Sequence, residues 1–497
     1  MAYTITCPYC FEQFDDTSVH FRMQTIREPE YSEEELMRRR ESEERNRLLG
    51  EYYRDRVFQS QEDPIYTNFW NKYGGTTEVS TNAERQMYGC EVYELPIVNP
   101  ADPTHQAVLK IQKTGGIFIL DGDGMVVGIE DMFGKVTKRR VCPHCHNPLP
   151  LGYGKNTTKF ISVIGVTGAG KTVYISQLLK FMVKYAAYAK LAAFVQDDHV
   201  NNFIMDNAVE QGQPMPDATI ASRLAQPLSY DLVRRTGEGK SHTDTIVIYD
   251  IAGENCQNAQ QLQAYGDFVT KSDGILLLLD PSQLGFGNDM SSLNADARAA
   301  IPESVLNAIY QAFAGGNSSE QCRIPLAVCV SKSDTYETLL PSVGRKDITP
   351  SKNKISYNAT EYNELEEKLA DLMSNSPQVS TLLEAKFSCF NYFAFSATGC
   401  AVKKNAEGQY CPVAPPIPRR IAEPMLWMFQ KFGFIAADTP IRLPVKRYPS
   451  KDPKTGRPGV PIKRTFGDKL FGKQRYRNLT PAEIEALDFE PGIWERR

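Results

Sequence analysis

One stretch, residues 160–172, constrains the fold of this chain more than any other. It begins with an apolar run rich in β-branched side chains, Phe160-Ile-Ser-Val-Ile, and a glycine loop follows. Lys171 and Thr172 then open a stretch whose apolar residues recur at helical spacing. A strand, a glycine loop and a helix start thus follow one another. The spacing Gly165-x-x-x-x-Gly170-Lys171-Thr172 matches the phosphate-binding P-loop pattern.

The glycines matter because a loop with little side-chain bulk can turn successive backbone N–H groups toward a phosphate. The positive end of the following helix adds to the attraction. The backbone positions predicted to bind phosphate are Gly165, Thr167, Gly168, Ala169 and Gly170. Lys171 would reach the β- and γ-phosphates, and the Thr172 hydroxyl would bind Mg²⁺. A plain glycine-rich turn between a strand and a helix is the alternative.

Length and composition are those of an ordinary multidomain globular protein. The chain has 497 residues, of which 41% are hydrophobic and 23% charged, and two or three domains are expected. A net charge of −4 gives no overall attraction to nucleic acid or anionic membranes. The first residues lack the basic and apolar regions of a secretory signal, and no apolar run is long enough to span a bilayer. A cytoplasmic location is expected.

A second strand end supplies a carboxylate. Residues 245–249 are nearly all β-branched or aromatic, and Asp250-Ile-Ala-Gly253-Glu254 follows them. A carboxylate at the carboxyl end of a buried strand can contact Mg²⁺ or its hydration shell. Gly253 can donate its N–H to a γ-phosphate because no side chain blocks the approach. Placed one strand after a P-loop, the pattern indicates a site that senses the γ-phosphate.

Two further strand ends indicate guanine as the base. Residues 324–330 lead into Ser331-Lys332-Ser333-Asp334, and residues 393–395 lead into Ser396-Ala397-Thr398-Gly399. The Asp334 carboxylate can accept from both N1–H and N2–H₂ of guanine, a donor pair that adenine lacks. The aliphatic stem of Lys332 can lie along the purine. The backbone of Ser396 and Ala397 would support guanine O6.

Four of the eleven cysteines form two matched Cys-Pro-x-Cys pairs, at Cys7/Cys10 and Cys142/Cys145. Each pair can present two thiolates on one tight turn, and two such turns make a Cys₄ zinc site. A closed Cys₄ site is structural, since it leaves no open position for chemistry. His144 and His146 are alternative ligands, and a thioredoxin-type redox pair is the alternative chemistry.

The motifs GVTGAGKT, DIAGE, SKSD and FSATG occur in this order, each after a strand-like run. They resemble the G1, G3, G4 and G5 boxes of the translation-factor-related (TRAFAC) GTPases. The cysteine pairs, DIAGE, the MPDAT loop at 215–219 and the EPMLW segment at 423–427 are similar to a bacterial subgroup, the double-GTPase type 2 proteins. The resemblance covers residues 1–26 and 106–435. It implies a GTPase that works with a second GTPase encoded nearby, in conflict or defence systems.

Two positions depart from the family pattern. The G4 box begins with Ser331 where Asn or Thr is usual; its hydroxyl would tie the G4 loop to the P-loop with less reach, so guanine preference would be less strict. Glu254 stands where many small GTPases carry a Gln that orients water. An ionised carboxylate accepts hydrogen bonds but cannot donate them. Glu254 would orient or deprotonate water, or face solvent and only tune the switch.

The switch I threonine, which would sense Mg²⁺ and the γ-phosphate, is assigned to Thr219, with Thr236 and Thr243 as alternatives. An arginine finger would neutralise charge in the transition state. Arginines in the right region are Arg223, Arg234 and Arg235. A partner protein is the alternative source of the finger.

Other segments carry weaker patterns. Glu–Arg pairs at i,i+4 spacing predict a charged helical insertion at about 27–62, solvated or bound to a partner. Residues 64–105 read as turn-rich, whereas 108–140 alternate like a small antiparallel sheet. Basic residues and prolines dominate 440–480, which predicts a solvated or partner-wrapped tail. Nucleic acid or acidic lipid is the alternative ligand of this tail.

Together these patterns predict an α/β fold: a doubly wound P-loop GTPase domain at 155–436, a split zinc-ribbon-like β domain at 1–154, and a basic, irregular tail at 437–497. The predicted function is Mg²⁺-dependent GTP binding with slow hydrolysis to GDP, used as a switch. A protein effector or a second GTPase is the expected partner. The alternative is a nucleotide-binding scaffold that hydrolyses little and recruits protein or nucleic-acid partners through the ribbon and the tail.

Overall fold

A computed structural model describes most of the chain. The described residues are 3–24, 62–73, 80–132, 134–166, 168–195, 198–216, 226–236, 240–256, 267–286, 301–314, 320–346, 356–357, 359–437, 443–444, 459–461, 476–478 and 494–495. The predicted charged helix at 27–62 lies almost wholly outside them, and so does the basic tail, apart from a few short strands. Among the described helices, none combines the length and apolarity needed to cross a membrane.

The helices of the described residues are α1 (Pro64–Tyr73), α2 (Asn82–Tyr88), α3 (Pro103–Gln106), α4 (Lys171–Tyr188), α5 (Asp198–Asp206), α6 (Pro302–Ala314), α7 (Ala359–Met373), α8 (Pro377–Lys386) and α9 (Glu423–Lys431). The strands before the P-loop are β1 (Thr4–Thr6), β2 (Gln13–Asp15), β3 (His20–Arg22), β4 (Ile97–Val98), β5 (Phe118–Leu120), β6 (Val126–Glu130), β7 (Val136–Thr137) and β8 (Arg140–Val141). The later strands are β9 (Thr157–Gly165), β10 (Ala192–Val195), β11 (Leu228–Thr236), β12 (Lys240–Ala252), β13 (Gly274–Leu279), β14 (Leu326–Val330), β15 (Ser356–Tyr357), β16 (Phe390–Ala394), β17 (Val402–Lys404), β18 (Tyr410–Pro412), β19 (Ala436–Ala437), β20 (Leu443–Pro444), β21 (Gly459–Pro461), β22 (Tyr476–Asn478) and β23 (Trp494–Glu495).

A seven-stranded sheet organises the larger part of the molecule, in the order β10-β11-β12-β9-β13-β14-β16. The strands from β12 to β16 in this order are parallel, whereas β10 and β11 continue the sheet antiparallel. Every residue of β13, β14 and β16 is buried. Parallel strands covered on both faces are expected to be continuously apolar, as these are. The predicted α/β architecture is confirmed at this level.

The N-terminal part consists of small antiparallel sheets. Strands β5, β6 and β7 form the small antiparallel sheet expected within residues 108–140, and it has three strands. Strand β3 pairs with β4 on one side and with β8 on the other. Because β8 runs directly into Cys142, this pairing carries the second cysteine pair back to the N-terminal strands.

The turn-rich interpretation of residues 64–105 was wrong. This region contains α1, α2 and the short α3. Tyr66, Trp70 and Tyr73 are buried on α1 at i, i+4 and i+7, a helical spacing that the surrounding polar residues obscure. Helix α2 has a capping box, in which Thr81 and Glu84 each bond the other's backbone.

The N-terminal part packs directly on the large sheet. The ring of Phe11 lies 5.4 Å from Phe160, 5.7 Å from Tyr249 and 5.2 Å from Phe268, measured between centroids. The buried Tyr249 hydroxyl donates a 2.7 Å hydrogen bond to the Pro8 carbonyl. The first cysteine turn and the P-loop sheet therefore share one hydrophobic core.

Candidate functional site

The four sequence motifs meet at one edge of the large sheet. The P-loop follows β9, Asp250 lies near the end of β12, Ser331 follows β14 and Ser396 lies just beyond β16. These strands are parallel, so their carboxyl ends lie side by side. In open α/β sheets ligands bind outside this edge.

The backbone of the P-loop requires its glycines. Gly168 and Gly170 adopt φ of +83° and +74°, which residues with a side chain rarely do. A Cβ on Gly165 would lie 3.0 Å from the Cβ of Lys171, and one on Gly168 would lie 2.9 Å from the Asp280 carboxylate. The loop therefore encloses a space, the cradle, that side chains at these positions would fill. Phosphate binding would need this space to stay open. Thr167 lies outside the described residues.

A buried ion pair occupies the floor of this cradle. Lys171, the first residue of α4, directly contacts the Asp250 carboxylate, and both side chains are buried. Burying two charges is costly unless each has polar partners. The pairing of β9 with β12 brings Lys171 and Asp250 together although they are 79 positions apart in the sequence. Thr172 follows on the first turn of α4 and is half-buried.

The switch residues are described only in part. Gly253 and Glu254 start a 3₁₀ turn directly after β12, but the Glu254 side chain is outside the description. Thr219 and Arg223 also lie outside the described residues. Their assignment remains a prediction.

The alternative switch threonines, Thr236 and Thr243, lie at the edge of the sheet opposite the P-loop, and so do Arg234 and Arg235. Thr243 pairs with Val233 in the β11–β12 hairpin, and Arg234 pairs with His242. In register, Asp244 faces Thr157 at the start of β9, whereas Ala252 faces Gly165 at its end. At about 3.3 Å per residue, Thr243 is about 23 Å along β12 from Asp250. Arg235 and Thr236 belong to the same distal hairpin end.

The G4 loop is held to its neighbours by backbone and side-chain hydrogen bonds. Both the N–H and the hydroxyl of Ser331 donate to the Leu279 carbonyl at 3.0 Å. Among the described residues the Ser331 hydroxyl is thus tied to the end of β13, whereas a tie to the P-loop was expected. Lys332 has a left-handed backbone, and its Nζ lies 2.7 Å from the Asp280 carboxylate. Asp334 is half-buried on the following 3₁₀ turn.

The loop after β16 is joined to the G4 loop. The Ser333 N–H donates to the Phe395 carbonyl at 2.9 Å. The Ser396 hydroxyl accepts from the Gly399 N–H at 2.8 Å, and Ala397 is half-buried beside it. A Cβ on Gly399 would lie 1.9 Å from the Ile417 carbonyl oxygen. The two loops predicted to contact the base form one connected unit.

Asp280 is a site residue that the sequence reasoning missed. It directly follows the buried strand β13, is itself buried, and contacts Lys332. The available signal was the same one that identified Asp250: an acid immediately after an apolar strand, here Ile275-Leu-Leu-Leu-Leu-Asp280.

The four predicted zinc ligands also come together. The sulfur atoms of Cys7, Cys10, Cys142 and Cys145 lie within 4.8 Å of one another. The Cys7–Cys145 and Cys10–Cys142 sulfur distances are 3.7 and 3.6 Å. Tetrahedral Zn–S bonds of about 2.3 Å place sulfurs about 3.8 Å apart, so the donor set fits zinc. Burial raises the pKa of the Cys7 and Cys145 thiols, and a bound cation would offset the cost of their thiolate forms.

The two cysteine turns have the same local geometry. The Phe11 N–H donates to the Cys7 carbonyl at 3.0 Å, and the His146 N–H donates to the Cys142 carbonyl at 2.9 Å. Phe11 and His146 both adopt a left-handed backbone, with φ of 59° and 54°. This equivalence is typical of the paired knuckles of a zinc ribbon and separates the site from a single redox pair.

The alternative ligand His146 is engaged elsewhere. Its Nδ1–H donates to the Asp63 carboxylate at 2.9 Å, and its Nε2 lies 3.1 Å from His20 Nδ1. Asp63 also forms a buried ion pair with Arg22 at 2.9 Å. Burial, with His146 nearby, lowers the pKa of His20 to about 4. His144 is exposed.

Comparisons with known proteins agree with this geometry. Residues 159–386 match the model of the Double-GTPase 2 family. The resemblance inferred from the motifs is confirmed. The matched region runs from β9 to α8, so it contains the P-loop, Asp250, Asp280 and the G4 loop. The loop after β16 and both cysteine turns lie outside the matched Double-GTPase 2 region.

The chain is also similar to SaeC of Mycolicibacterium smegmatis, which is named for ESX-1 scaffolding and assembly. The two are 24% identical over 213 residues, which is 40% of this chain and 52% of the relative. The chain thus spans about half the length of the relative it matches. The Double-GTPase 2 match supports GTP binding, and the name of this relative refers to scaffolding.

Proposed function

We propose that the protein binds GTP with Mg²⁺, hydrolyses it slowly to GDP, and uses the difference between the two states as a switch. The observation that carries the proposal is the convergence of the P-loop, the buried Lys171–Asp250 pair and the connected base loops at one edge of a parallel sheet. The Double-GTPase 2 match supports the same conclusion.

Lys171 is the residue that binds the phosphate chain. Its ammonium would leave part of its contact with Asp250 and donate to the β- and γ-phosphates, which offer more negative charge. Asp250 and Thr172, together with Thr219, would then hold Mg²⁺, which supplies charge neutralisation between the β- and γ-phosphates. Gly165, Thr167, Gly168, Ala169 and Gly170 provide the backbone of the cradle.

Base recognition is assigned to the connected G4 and G5 loops. Asp334 would accept from guanine N1–H and N2–H₂, and Lys332 would cover one face of the ring. The backbone at Ser396 and Ala397 would donate to O6. The hydrogen bond from Ser333 to Phe395 supports this assignment because it fixes the two loops relative to each other.

Hydrolysis and switching are assigned to the turn after β12. Gly253 would donate its N–H to the γ-phosphate and Glu254 would orient the attacking water. Loss of the γ-phosphate would release this turn and the segment around Thr219. A protein effector or a second GTPase would read the change, in a conflict or defence system of a bacterial cytoplasm.

A second candidate function is a nucleotide-binding scaffold with little hydrolysis. The similarity to a relative named for scaffolding and assembly favours it. Single-turnover GTP hydrolysis separates the two. The switch requires phosphate release by the wild-type protein, with or without partners, above that of Lys171→Ala, and a decrease in Glu254→Ala. Release that never exceeds the Lys171→Ala background supports the scaffold.

GTP binding itself is tested by titration with a fluorescent GTP analogue in Mg²⁺ and in EDTA. Lys171→Ala should weaken binding by about a hundredfold, because several charge-assisted hydrogen bonds to phosphate are lost. Lys159→Ala is the matched control: Lys159 lies on the same strand, β9, and pairs with Asp273 at 2.6 Å. Equal weakening by both variants, or binding unaffected by EDTA, would contradict the proposal.

A structural zinc ion is proposed for the cysteine cluster. Elemental analysis should find one zinc per chain, and the Cys142→Ser variant should lose it. The fit of the four sulfur atoms to zinc supports this assignment.

A further inference from the structure

Asp280 joins the two halves of the proposed nucleotide site. It lies after β13, and in the sheet β13 lies between β9, which carries the P-loop, and β14, which carries the G4 loop. Its Oδ2 is 2.7 Å from Lys332 Nζ. The same oxygen would be 2.9 Å from a Cβ on Gly168. One carboxylate therefore contacts the base loop and abuts the phosphate loop.

The orientation of Asp280 is fixed by its own turn. Its Oδ1 accepts from the Ser282 N–H at 2.9 Å and from the Ser282 hydroxyl at 2.7 Å. The side chain is buried, whereas that of Lys332 is 46% exposed. A held carboxylate paired with a long, half-exposed cation determines where the cation lies, since the lysine stem alone has many rotamers.

The contact between Lys332 and Asp280 matters because the Ser331 side chain bonds the end of β13. The Ser331 hydroxyl donates a hydrogen bond to the carbonyl of Leu279, which is the residue before Asp280. Among the described contacts, the side-chain link from the G4 loop toward the P-loop runs through Lys332 and Asp280. The backbone of Lys332 is left-handed, with φ of 54°, so the start of its side chain is also set by the turn.

We propose that Asp280 is a positioning residue that strengthens base selectivity. It holds the Lys332 stem where the stem packs on a guanine base that Asp334 has bound, and a base that Asp334 does not bind gains nothing from this contact. This inference rests on the proposed function. It differs from a purely structural role for Asp280 as the cap of the turn at Ser282. A cap would affect stability, or all ligands equally, but would not distinguish one base from another.

The test compares the full-length protein with Asp280→Asn, measuring competition by GTP, ATP and inorganic tripolyphosphate against a fluorescent nucleotide. Affinity for GTP should fall by about tenfold, the value of one charge-assisted contact. Affinities for ATP and tripolyphosphate should stay within about twofold, so the GTP-to-ATP selectivity falls by about tenfold. Lys332→Met should have the same effect, and the double variant should add nothing further.

Asp273→Asn is the matched control. Asp273 directly precedes β13 as Asp280 directly follows it, and it pairs with a lysine at 2.6 Å, but at the opposite edge of the sheet. This variant should leave selectivity unchanged.

The outcomes separate the two proposals. A wild-type protein that does not prefer GTP overturns the proposed function and this inference together. A wild type that prefers GTP and an Asp280→Asn variant with unchanged selectivity, or with equal losses for all three ligands, overturns only the inference. If Asp280→Asn fails to fold, Lys332→Met decides: a tenfold fall in selectivity supports the role of the pair, and unchanged selectivity overturns it.

Discussion

The cysteine cluster and the proposed nucleotide site both depend on left-handed backbone turns, but the residues in these turns differ. At the P-loop the left-handed positions are Gly168 and Gly170. At the cysteine turns they are Phe11 and His146, residues for which this backbone costs about 1–2 kcal/mol each.

The difference reflects what each turn must contact. A phosphate is proposed to approach the P-loop backbone, and a side chain at Gly168 would block that approach. At the cysteine turns the side chain itself is used: the Phe11 ring packs on Phe160, Tyr249 and Phe268, and the His146 ring bonds Asp63 and His20. The strained backbone is offset by these contacts. The P-loop turn leaves a space open beside its backbone, whereas the two cysteine turns are packed against neighbouring side chains.

The largest effect expected from this contrast is that of Cys142→Ser. Removing one thiolate from a closed site should abolish zinc binding and lower the free energy of unfolding by about 4 kcal/mol or more, since metal binding contributes directly to folding. Elemental analysis and denaturant unfolding measure both. Cys322→Ser, at a buried cysteine outside the cluster, should retain zinc. Retained zinc in Cys142→Ser would contradict the Cys₄ assignment.

Phe11→Ala should lower the free energy of unfolding by about 3 kcal/mol, because the ring is lost from the core while the strained backbone remains. Zinc content should not change, since no cysteine is altered. A loss below about 1 kcal/mol would show that the Phe11 ring does not anchor the cysteine turn to the sheet.

Gly168→Ala should affect nucleotide binding more than stability, whereas Phe11→Ala affects only stability. The added methyl group strains a backbone with φ of +83°, for a loss of about 1–2 kcal/mol in stability. Nucleotide affinity should fall by at least about tenfold, because the Cβ meets Asp280 and narrows the cradle. Fluorescent nucleotide titration checks this, with zinc content as the internal control. Unchanged affinity would mean that Gly168 is not part of the cradle.

Tyr249→Phe tests the link between the two regions. Its hydroxyl bonds the Pro8 carbonyl at 2.7 Å, and Tyr249 precedes Asp250 on β12. Loss of this buried hydrogen bond should cost about 1–2 kcal/mol of stability. Tyr310→Phe, whose hydroxyl donates to the Glu320 carbonyl at 2.9 Å outside the proposed nucleotide loops, is a matched control. If only Tyr249→Phe also changes the affinity for Mg²⁺–GTP, the cysteine turn and Asp250 are coupled.

A pH dependence is also expected at His20, and it affects stability only at acidic pH. Burial, with His146 nearby, lowers its pKa from 6.5 to about 4 in the folded state. Between these values the unfolded chain binds a proton that the folded protein does not. His20 therefore favours folding fully above pH 6.5, and this contribution is lost as the pH falls toward 4. His20→Gln should flatten that part of the stability profile. An identical slope in both proteins would exclude the contribution.

Much of the candidate site was accessible from the sequence, because its signals are local. The Gly165–Thr172 spacing, the acid at the end of β12 and the two Cys-Pro-x-Cys pairs each lie within a few residues. Strand periodicity was sufficient to place the motifs at one sheet edge. Helix α1 was missed because its apolar residues are few and spaced among polar ones, although Tyr66, Trp70 and Tyr73 have helical spacing.

The sequence by itself determined the α/β class, the glycine loop after β9 and the four clustered cysteines, since each depends on residue types at fixed short spacing. Only the tertiary structure decided that Asp280 holds Lys332, that Ser331 bonds Leu279, and that Phe11 anchors the cysteine turn on the sheet. These contacts join residues from different elements, and no local pattern encodes them. Sheet order brings them together, because β13 lies between the strands that carry the P-loop and the G4 loop.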